Sequence, residues 1–157
     1  MPVSTKLKGY LDQNKIKYNL IDHSIAYTAQ ELAAKMHVPG NEMAKVVIVK
    51  IDGQFAMAVI PAPHQIDLKK LKEATRAKQI ELASETEFED LFPDCEVGAM
   101  PPFGNLYGLS VYVAKQLEED KEIVFNAGSH TEAIRMECGD FIRLANPTMI
   151  DYIYKER

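Results

Sequence analysis

The stretch AKVVIVKIDGQFAMAVI, residues 44–60, decides the fold of this 157-residue chain. Its first part is apolar on both faces of an extended strand around Lys45, a pattern typical of strands that are covered on both sides. Asp52-Gly53 is a strong two-residue hairpin turn, and Phe55 to Ile60 returns as the partner strand. The sequence therefore predicts an antiparallel hairpin at the centre of the protein.

Lys45 is the unusual residue of this hairpin. A strongly hydrated ammonium group is unfavourable inside an apolar strand. The side chain must reach the end of the strand, pair with an anionic group, or face a cavity that binds something. The strand alone leaves these three alternatives open.

Local signals elsewhere predict short helices and strands in an irregular order. Thr28 to Glu31 and Ser84 to Glu87 are capping boxes, which mark the starts of helices. No repeat or linker divides the chain, so we expect one α+β (mixed α/β) domain over residues 1–157. Further helices are expected up to Asn14, from Asp67 to Lys72, and from Asp140 and Asn146-Pro147 onward; strands are expected at residues 16–20, 79–82, 110–113, 122–126 and 132–137.

The composition is that of an ordinary globular protein. It is 46% hydrophobic and 26% charged, and it contains no apolar run long enough to span a membrane and no secretory signal pattern. The two cysteines, Cys95 and Cys138, form no CxxC pair and no cluster at zinc spacing, so neither a metal nor another cofactor is expected. A reducing cytoplasm is the expected compartment.

The formal net charge of −5 argues against a protein that binds DNA or another long nucleic acid through its backbone. Two groups of basic residues could still provide a local positive face, although such runs are more often solvated helix surfaces. They comprise Lys6, Lys8, Lys15 and Lys17, and Lys69, Lys70, Lys72, Arg76 and Lys78.

The common catalytic motifs are absent: the sequence has no GxSxG, no Walker loop, no GxGxxG after a strand and no HExxH. Two loops remain as candidates. Gly98 to Gly104 combines glycines, which allow close backbone approach, with prolines that keep the segment stiff. Phe125 to His130 is expected to leave a strand with small and polar groups at its tip, which suits recognition of a small polar group.

These segments, taken in order, resemble the YbaK/EbsC family of aminoacyl-tRNA deacylases, which also occurs as the editing insertion of bacterial prolyl-tRNA synthetases. The similarity covers about residues 20–150. The segments that carry it are Tyr27-Thr28, Ala44 to Val49, Ala58 to Pro61 with Asp67-Leu68, Gly98 to Phe103, Phe125 to Gly128, and Asp140 to Leu144.

The resemblance implies a mixed, largely antiparallel sheet that curls toward a barrel, with helices around it. It also implies hydrolysis of the ester between a mischarged amino acid and the terminal adenosine of a tRNA, with a tRNA-Pro-like substrate as the first expectation. The partners would be that tRNA and an aminoacyl-tRNA synthetase. Backbone groups and the ribose hydroxyl of the substrate would position the water, without a side-chain nucleophile.

The residues that match the family motifs are assigned by the same resemblance. Lys45 would be the essential lysine, which fits a cation that holds a phosphate or polarises the ester carbonyl. Gly98 and Gly128 would complete the catalytic set. The substrate-binding residues would be Tyr27, Thr28, Val46, Pro101, Pro102, Phe103, Ser129 and His130.

Val46 departs from the family, in which threonine commonly follows the lysine. A more apolar pocket could change the amino-acid preference. Two other functions stay open: a non-catalytic module that recognises a tRNA acceptor end, a synthetase or a small aminoacyl-like ligand, and a hydrolase for another small ester or amide.

Overall fold

The hairpin of residues 44–60 lies in the middle of a five-stranded sheet. In the computed structural model, which describes residues 4–23, 29–35 and 42–154, strand β2 (Ala44–Ile51) pairs antiparallel with β3 (Gln54–Pro61) over its whole length. Asp52 and Gly53 have φ values of 50° and 83°, as the predicted tight turn requires. The predicted hairpin is confirmed.

Three further strands complete this sheet, in the order β4-β2-β3-β5-β8. Strand β4 (Ile80–Leu82) pairs antiparallel with β2, whereas β5 (Ser110–Ala114) pairs parallel with β3 and β8 (Thr148–Ile150) pairs parallel with β5. The sheet is therefore mixed.

A second, three-stranded antiparallel sheet has the order β1-β7-β6. It consists of β1 (Tyr18–Asp22), β6 (Glu122–Ser129) and β7 (Glu132–Glu137). A parallel bridge between Met43 and Val124 connects the start of β2 to β6. The mixed α+β class is confirmed. Instead of one sheet that approaches a barrel, there are two sheets joined at this bridge, and the strand pairings of the described residues do not close into a barrel.

The main core lies between the inner faces of the two sheets. Phe103 packs edge-on against Phe125 and Phe141, with ring centroids 5.7 and 5.4 Å apart. All three rings are buried, and each such burial contributes roughly 1.5–3 kcal/mol. Helices α1 (Thr5–Gln13) and α5 (Cys138–Ala145) add Leu7, Leu11 and Leu144 to the same core.

The outer face of the five-stranded sheet is covered by α3 (Leu68–Thr75) and the C-terminal segment. Asp67 caps α3, as predicted, by accepting hydrogen bonds from the backbone N–H groups of Lys69 and Lys70. The buried Tyr152 hydroxyl accepts from Val59 N at 3.1 Å and donates to Tyr112 O at 2.6 Å. This side chain fixes the C-terminal segment to the sheet.

The remaining helices follow the capping signals. Ser84 and Glu87 form the predicted capping box of α4 (Glu85–Phe88), which continues as a 3-10 helix over Glu89–Leu91. Helix α2 (Ala29–Lys35) buries Leu32 and Ala33, while Thr28 of its predicted capping box lies outside the described residues. No helix within the described segments has the length and apolar character needed to cross a membrane.

Three local predictions were wrong. Asn146-Pro147 does not open a second terminal helix: Asn146, at φ 48°, ends α5, and the chain continues as β8 because Thr148–Ile150 pairs with β5. Helix α5 itself begins at Cys138 instead of Asp140. The expected loop at Phe125–His130 is strand as far as Ser129, with an irregularity in the β6–β7 register between Asn126 and Ser129.

Candidate functional site

Lys45 lies on the outer face of β2, beside a cavity. Its neighbour Ala44 belongs to the inner core, and alternation along the strand turns Lys45 the other way. The cavity has a volume of about 210 Å³, and Lys45 is the charged residue among the described residues that line it. The other described lining residues are Val47, Ile60, Gln65, Ile66, Leu68 and Leu82.

The ammonium group of Lys45 has no hydrogen-bond or ion-pair partner among the described residues. The side chain is partly buried, and this burial lowers the pKa of Lys45 below its ordinary value. In contrast, Lys50 on the same strand pairs with Glu81 and Glu87, which raise its pKa. Of the three alternatives for Lys45, the structure therefore shows the third, a cation that faces a cavity.

Val46 faces the opposite side of β2 from Lys45. It is partly buried and packs against the inner core that contains Phe103 and Phe125. The structure does not bring Val46 to the cavity beside Lys45.

The two candidate loops are held against each other by backbone hydrogen bonds. Gly128 donates its N–H to the carbonyl of Ala99 at 2.9 Å, and its own carbonyl accepts from the N–H of Glu96 at 2.8 Å. Gly98 donates its N–H to the sulfur of Met100. Because these amides are already engaged, the loops form a rigid wall and do not offer these N–H groups to a ligand.

His130 is part of the same contact. Its Nε2 lies 3.0 Å from the carbonyl of Val97, which makes this nitrogen the donor, and its backbone N–H donates to Glu96 at 3.0 Å. A Cβ at Gly98, where φ is +88°, would lie 3.5 Å from Cε1 of His130. His130 therefore positions the loop around Gly98.

The core surrounds three residues of the first loop, Pro101, Pro102 and Phe103. All three are buried, and Phe103 is the centre of the aromatic cluster described above. They anchor the loop to the core. Ser129 is also buried, and its hydroxyl donates to Glu132 at 3.2 Å.

A partly buried polar network fixes the other side of the Gly128 segment. Asp94 accepts hydrogen bonds from the hydroxyl groups of Ser4 and Tyr107, and Ser4 N–H donates to Ala127 O at 2.9 Å. Burial alone would raise the pKa of Asp94, but these hydrogen bonds outweigh it and lower the pKa below its ordinary value. The N-terminal helix is thereby tied to the loop.

Neither cysteine thiol is activated as a nucleophile. Burial raises the pKa of Cys95 to about 12 and that of Cys138 to about 11. A thiolate is the reactive form, so both cysteines stay protonated and unreactive near neutral pH. Both residues belong to the hydrophobic core.

Comparison with known proteins shows the family to which the chain belongs. The family model for the aminoacyl-tRNA editing domain matches residues 23–144. The chain belongs to this family. The match includes Lys45 and both loops, and it confirms the family that the sequence resembled.

Editing domains from several proteins are similar to this chain. The multifunctional Ser/Thr-tRNA deacylase ProXp-y of Escherichia coli (strain K12) is 26% identical over 152 residues, which cover 94% of this chain and 90% of that protein. The proline–tRNA ligase of Staphylococcus saprophyticus is 35% identical over 104 residues, covering 64% of this chain and 18% of the ligase. A crystal structure described as a candidate trans-editing enzyme for prolyl tRNA synthetase shares the fold, with a TM-score of 0.85 at 17% identity and 99% coverage of both chains.

In this editing domain the structure groups the predicted residues into two places. Gly98, Gly128, Ser129 and His130 meet at the loop contact, while Lys45 lines the cavity on the outer face of β2. Tyr27 and Thr28 lie outside the described residues.

Sequence reasoning missed the residues that line the cavity with Lys45. Gln65, Ile66 and Leu68 come from the segment that leads into α3, and Leu82 ends β4. The available signals were the cap at Asp67, which fixes where α3 begins, and the short strand at residues 80–82, whose pairing with β2 places Leu82 near the cavity.

Proposed function

We propose that this protein is a freestanding aminoacyl-tRNA deacylase that hydrolyses the ester of a mischarged tRNA in trans. The observation that carries the proposal is Lys45, whose ammonium group lies at the wall of an apolar cavity, without a partner among the residues that the structure describes, in a chain of the editing-domain family. Such a cation attracts a phosphate oxygen or the carbonyl oxygen of an ester. The cytoplasm, where tRNAs are charged, is the compartment that this function requires.

The reaction needs no covalent intermediate on the protein. The oxygen of a water molecule bonds to the ester carbonyl carbon, and the bond from that carbon to the ribose oxygen breaks. One proton of the water passes to the ribose oxygen, so that the products are the free amino acid and the intact tRNA. Both described thiols are protonated, which agrees with direct attack by water.

Within this proposal Lys45 anchors an oxygen of the substrate, and the loops around Gly98 and Gly128 form a rigid wall. The cavity of about 210 Å³ is smaller than the roughly 300–1,000 Å³ of sites for whole ligands, so it suits one group of a larger substrate. A tRNA-Pro-like substrate is supported by the similarity to the proline–tRNA ligase, and serine and threonine by the name of the Escherichia coli relative.

A panel of tRNAs mischarged with different amino acids tests the proposal. We expect at least one ester to be hydrolysed faster than it decays spontaneously, and we expect Lys45→Ala to lower kcat/KM by about 100-fold or more, as for loss of one electrostatic contact to the transition state. Lys50→Ala is the matched control, because Lys50 lies on the same strand but pairs with Glu81 and Glu87. If no ester is hydrolysed above the spontaneous rate, or if Lys45→Ala is as fast as wild type, the proposal fails.

Binding without hydrolysis is the second candidate function. It is favoured by the engagement of the loop amides in internal hydrogen bonds, which leaves these N–H groups unable to stabilise an oxyanion. A complex with aminoacyl-tRNA that persists with no release of amino acid across the panel would support this candidate over the first.

A further inference from the structure

The bridge between Met43 and Val124 places two strands side by side, with their next residues on the same face. Met43 and Val124 are both buried in a small cluster with Leu32 and Ala33 of α2 and with Ala133. Asn126 lies two residues beyond Val124 and pairs directly with Ala133 across the β6–β7 ladder. Directly paired residues project from the same face of a sheet, so Asn126 faces the side covered by α2.

Lys45 projects from that side as well. It lies two residues beyond Met43, and the intervening Ala44 belongs to the inner core on the opposite face. Lys45 and Asn126 are therefore each two residues past the bridge, on parallel neighbouring segments, with side chains on one face.

The Oδ1 atom of Asn126 lacks the hydrogen-bond partner that its burial calls for. Asn126 is 9% exposed, and its Oδ1 atom is fully buried with no partner within the described part of the chain. More than nine in ten buried polar groups in proteins are paired, because an unpaired one costs free energy. The Nε of Arg135 is buried and unpaired in the same way, and Arg135 stands opposite Val124 on the same face. Buried polar atoms on one face of a sheet that lack partners among the described residues are typical of a site that a ligand completes.

We propose that Asn126 is a substrate-binding residue whose Oδ1 accepts a hydrogen bond from the α-ammonium group of the esterified amino acid. The inference rests on the proposed deacylase function. Every aminoacyl ester carries this ammonium group one carbon away from its carbonyl. A cationic side chain such as Lys45 suits the oxygen atoms of the substrate, and a neutral acceptor such as Asn126 suits its ammonium group, in a charge-assisted hydrogen bond.

Thermal stability provides a first test that needs no substrate. Asn126→Leu replaces the amide by an apolar group of similar size, so we expect the melting temperature to rise or stay unchanged. The matched control is Asn105→Leu, because the amide of Asn105 does have a partner and donates to the carbonyl of Leu144 at 3.0 Å. A fall in melting temperature for Asn126→Leu larger than that for Asn105→Leu would show a structural role and overturn the inference.

The decisive test compares two esters on the same tRNA: the seryl ester and the 3-hydroxypropionyl ester, which is serine with hydrogen in place of the α-amino group. We expect Asn126→Leu to lower kcat/KM for the seryl ester by about 10- to 100-fold, as for one charge-assisted hydrogen bond, and to change hydrolysis of the 3-hydroxypropionyl ester less than about twofold. Asn126→Ser, which keeps a smaller acceptor, should recover part of the loss and provides a second variant if the leucine variant does not fold.

The outcomes separate the inference from the function on which it rests. Equal slowing of both esters by Asn126→Leu, with wild type active on both, overturns the inference and leaves the deacylase function standing. A wild-type protein that hydrolyses neither these esters nor any member of the panel overturns the deacylase function and, with it, the inference.

Discussion

Gly128 packs so closely against Ser4 that a Cβ at position 128 would lie 3.0 Å from the Ser4 nitrogen and 3.1 Å from its Cβ. Ser4 is at once the cap of α1, a hydrogen-bond donor to Asp94, and the donor to the carbonyl of Ala127. On its other side Gly128 is bonded to Ala99 and Glu96. The first helix and both loops of the candidate site therefore meet at one glycine.

Gly128→Ala should destabilise the fold and slow the reaction. The residue has a φ of +101°, which is unfavourable for alanine, and its Cβ would also contact the backbone of Ser4. We expect the free energy of unfolding, measured with denaturant, to fall by about 1–3 kcal/mol because of the unfavourable φ. The contact with Ser4 should lower it further. Gly53→Ala is the control, since Gly53 has φ +83° and nothing within 4 Å of a Cβ. Equal losses for the two variants would show that the contact with Ser4 is unimportant.

Lys45 should titrate at a lower pH than an ordinary lysine. Burial lowers its pKa in the folded state, so the folded protein releases this proton before the unfolded chain does. The burial penalty is full below the folded pKa and is relieved as the pH rises toward the unfolded value. The stability advantage of Lys45→Met over wild type should therefore shrink with rising pH, as measured by unfolding in denaturant.

For Lys50, the same experiment should show a pH dependence of stability with the opposite sign. Hydrogen bonds from Lys50 to Glu87 and Glu81 raise its pKa, so its stabilising effect is present below the unfolded pKa and is lost as the pH rises through the folded pKa. Lys50→Met should lose stability relative to wild type at neutral pH and recover at high pH. A direct readout is the titration of the Cε resonances of both lysines by NMR, where Lys45 should shift first. Identical titration curves would contradict the assignment of Lys45 to a desolvated site.

The central hairpin and the caps could be predicted from the sequence because their causes are local. Asp52-Gly53 determines the turn by itself, and Asp67 and Ser84 determine where α3 and α4 begin. The strand β8 could not be predicted in this way. Thr148–Ile150 is extended because β5 offers it a partner, and β5 is more than 30 residues away in the chain.

Part of the candidate site could be picked out from the sequence, but the residues that line the cavity with Lys45 and the geometry of the site could not. Lys45 and the two loops were evident from their composition. Lys45 lies on the outer side of β2 because Ala44 and Val46 pack into the core on the inner side. Their packing depends on contacts with aromatic residues that are distant in the sequence. The same contacts separate Val46 from the cavity with which the sequence associated it.

Cys95 and Cys138 should resist alkylation in the native protein. Both are buried, and their pKa values are raised to about 12 and about 11. At pH 8 we expect iodoacetamide to modify them at least about 100-fold more slowly than in protein unfolded by guanidinium, where the thiol pKa returns to about 8.5. Mass spectrometry of timed samples measures both rates. Rapid modification of either cysteine in the folded protein would show that its thiol is accessible.

Val46→Thr distinguishes the two sides of β2 as determinants of amino-acid preference. Because Val46 packs against the inner core, an added hydroxyl there should cost about 1–3 kcal/mol of stability and leave the order of preference across the panel of esters unchanged. Leu82→Ala is the counterpart on the cavity side. Leu82 lines the cavity with Lys45 but is 57% exposed, so its truncation should change stability little and raise KM severalfold. A changed order of preference for Val46→Thr, together with an unchanged KM for Leu82→Ala, would place the aminoacyl group on the core side of the strand and contradict the role given to the cavity.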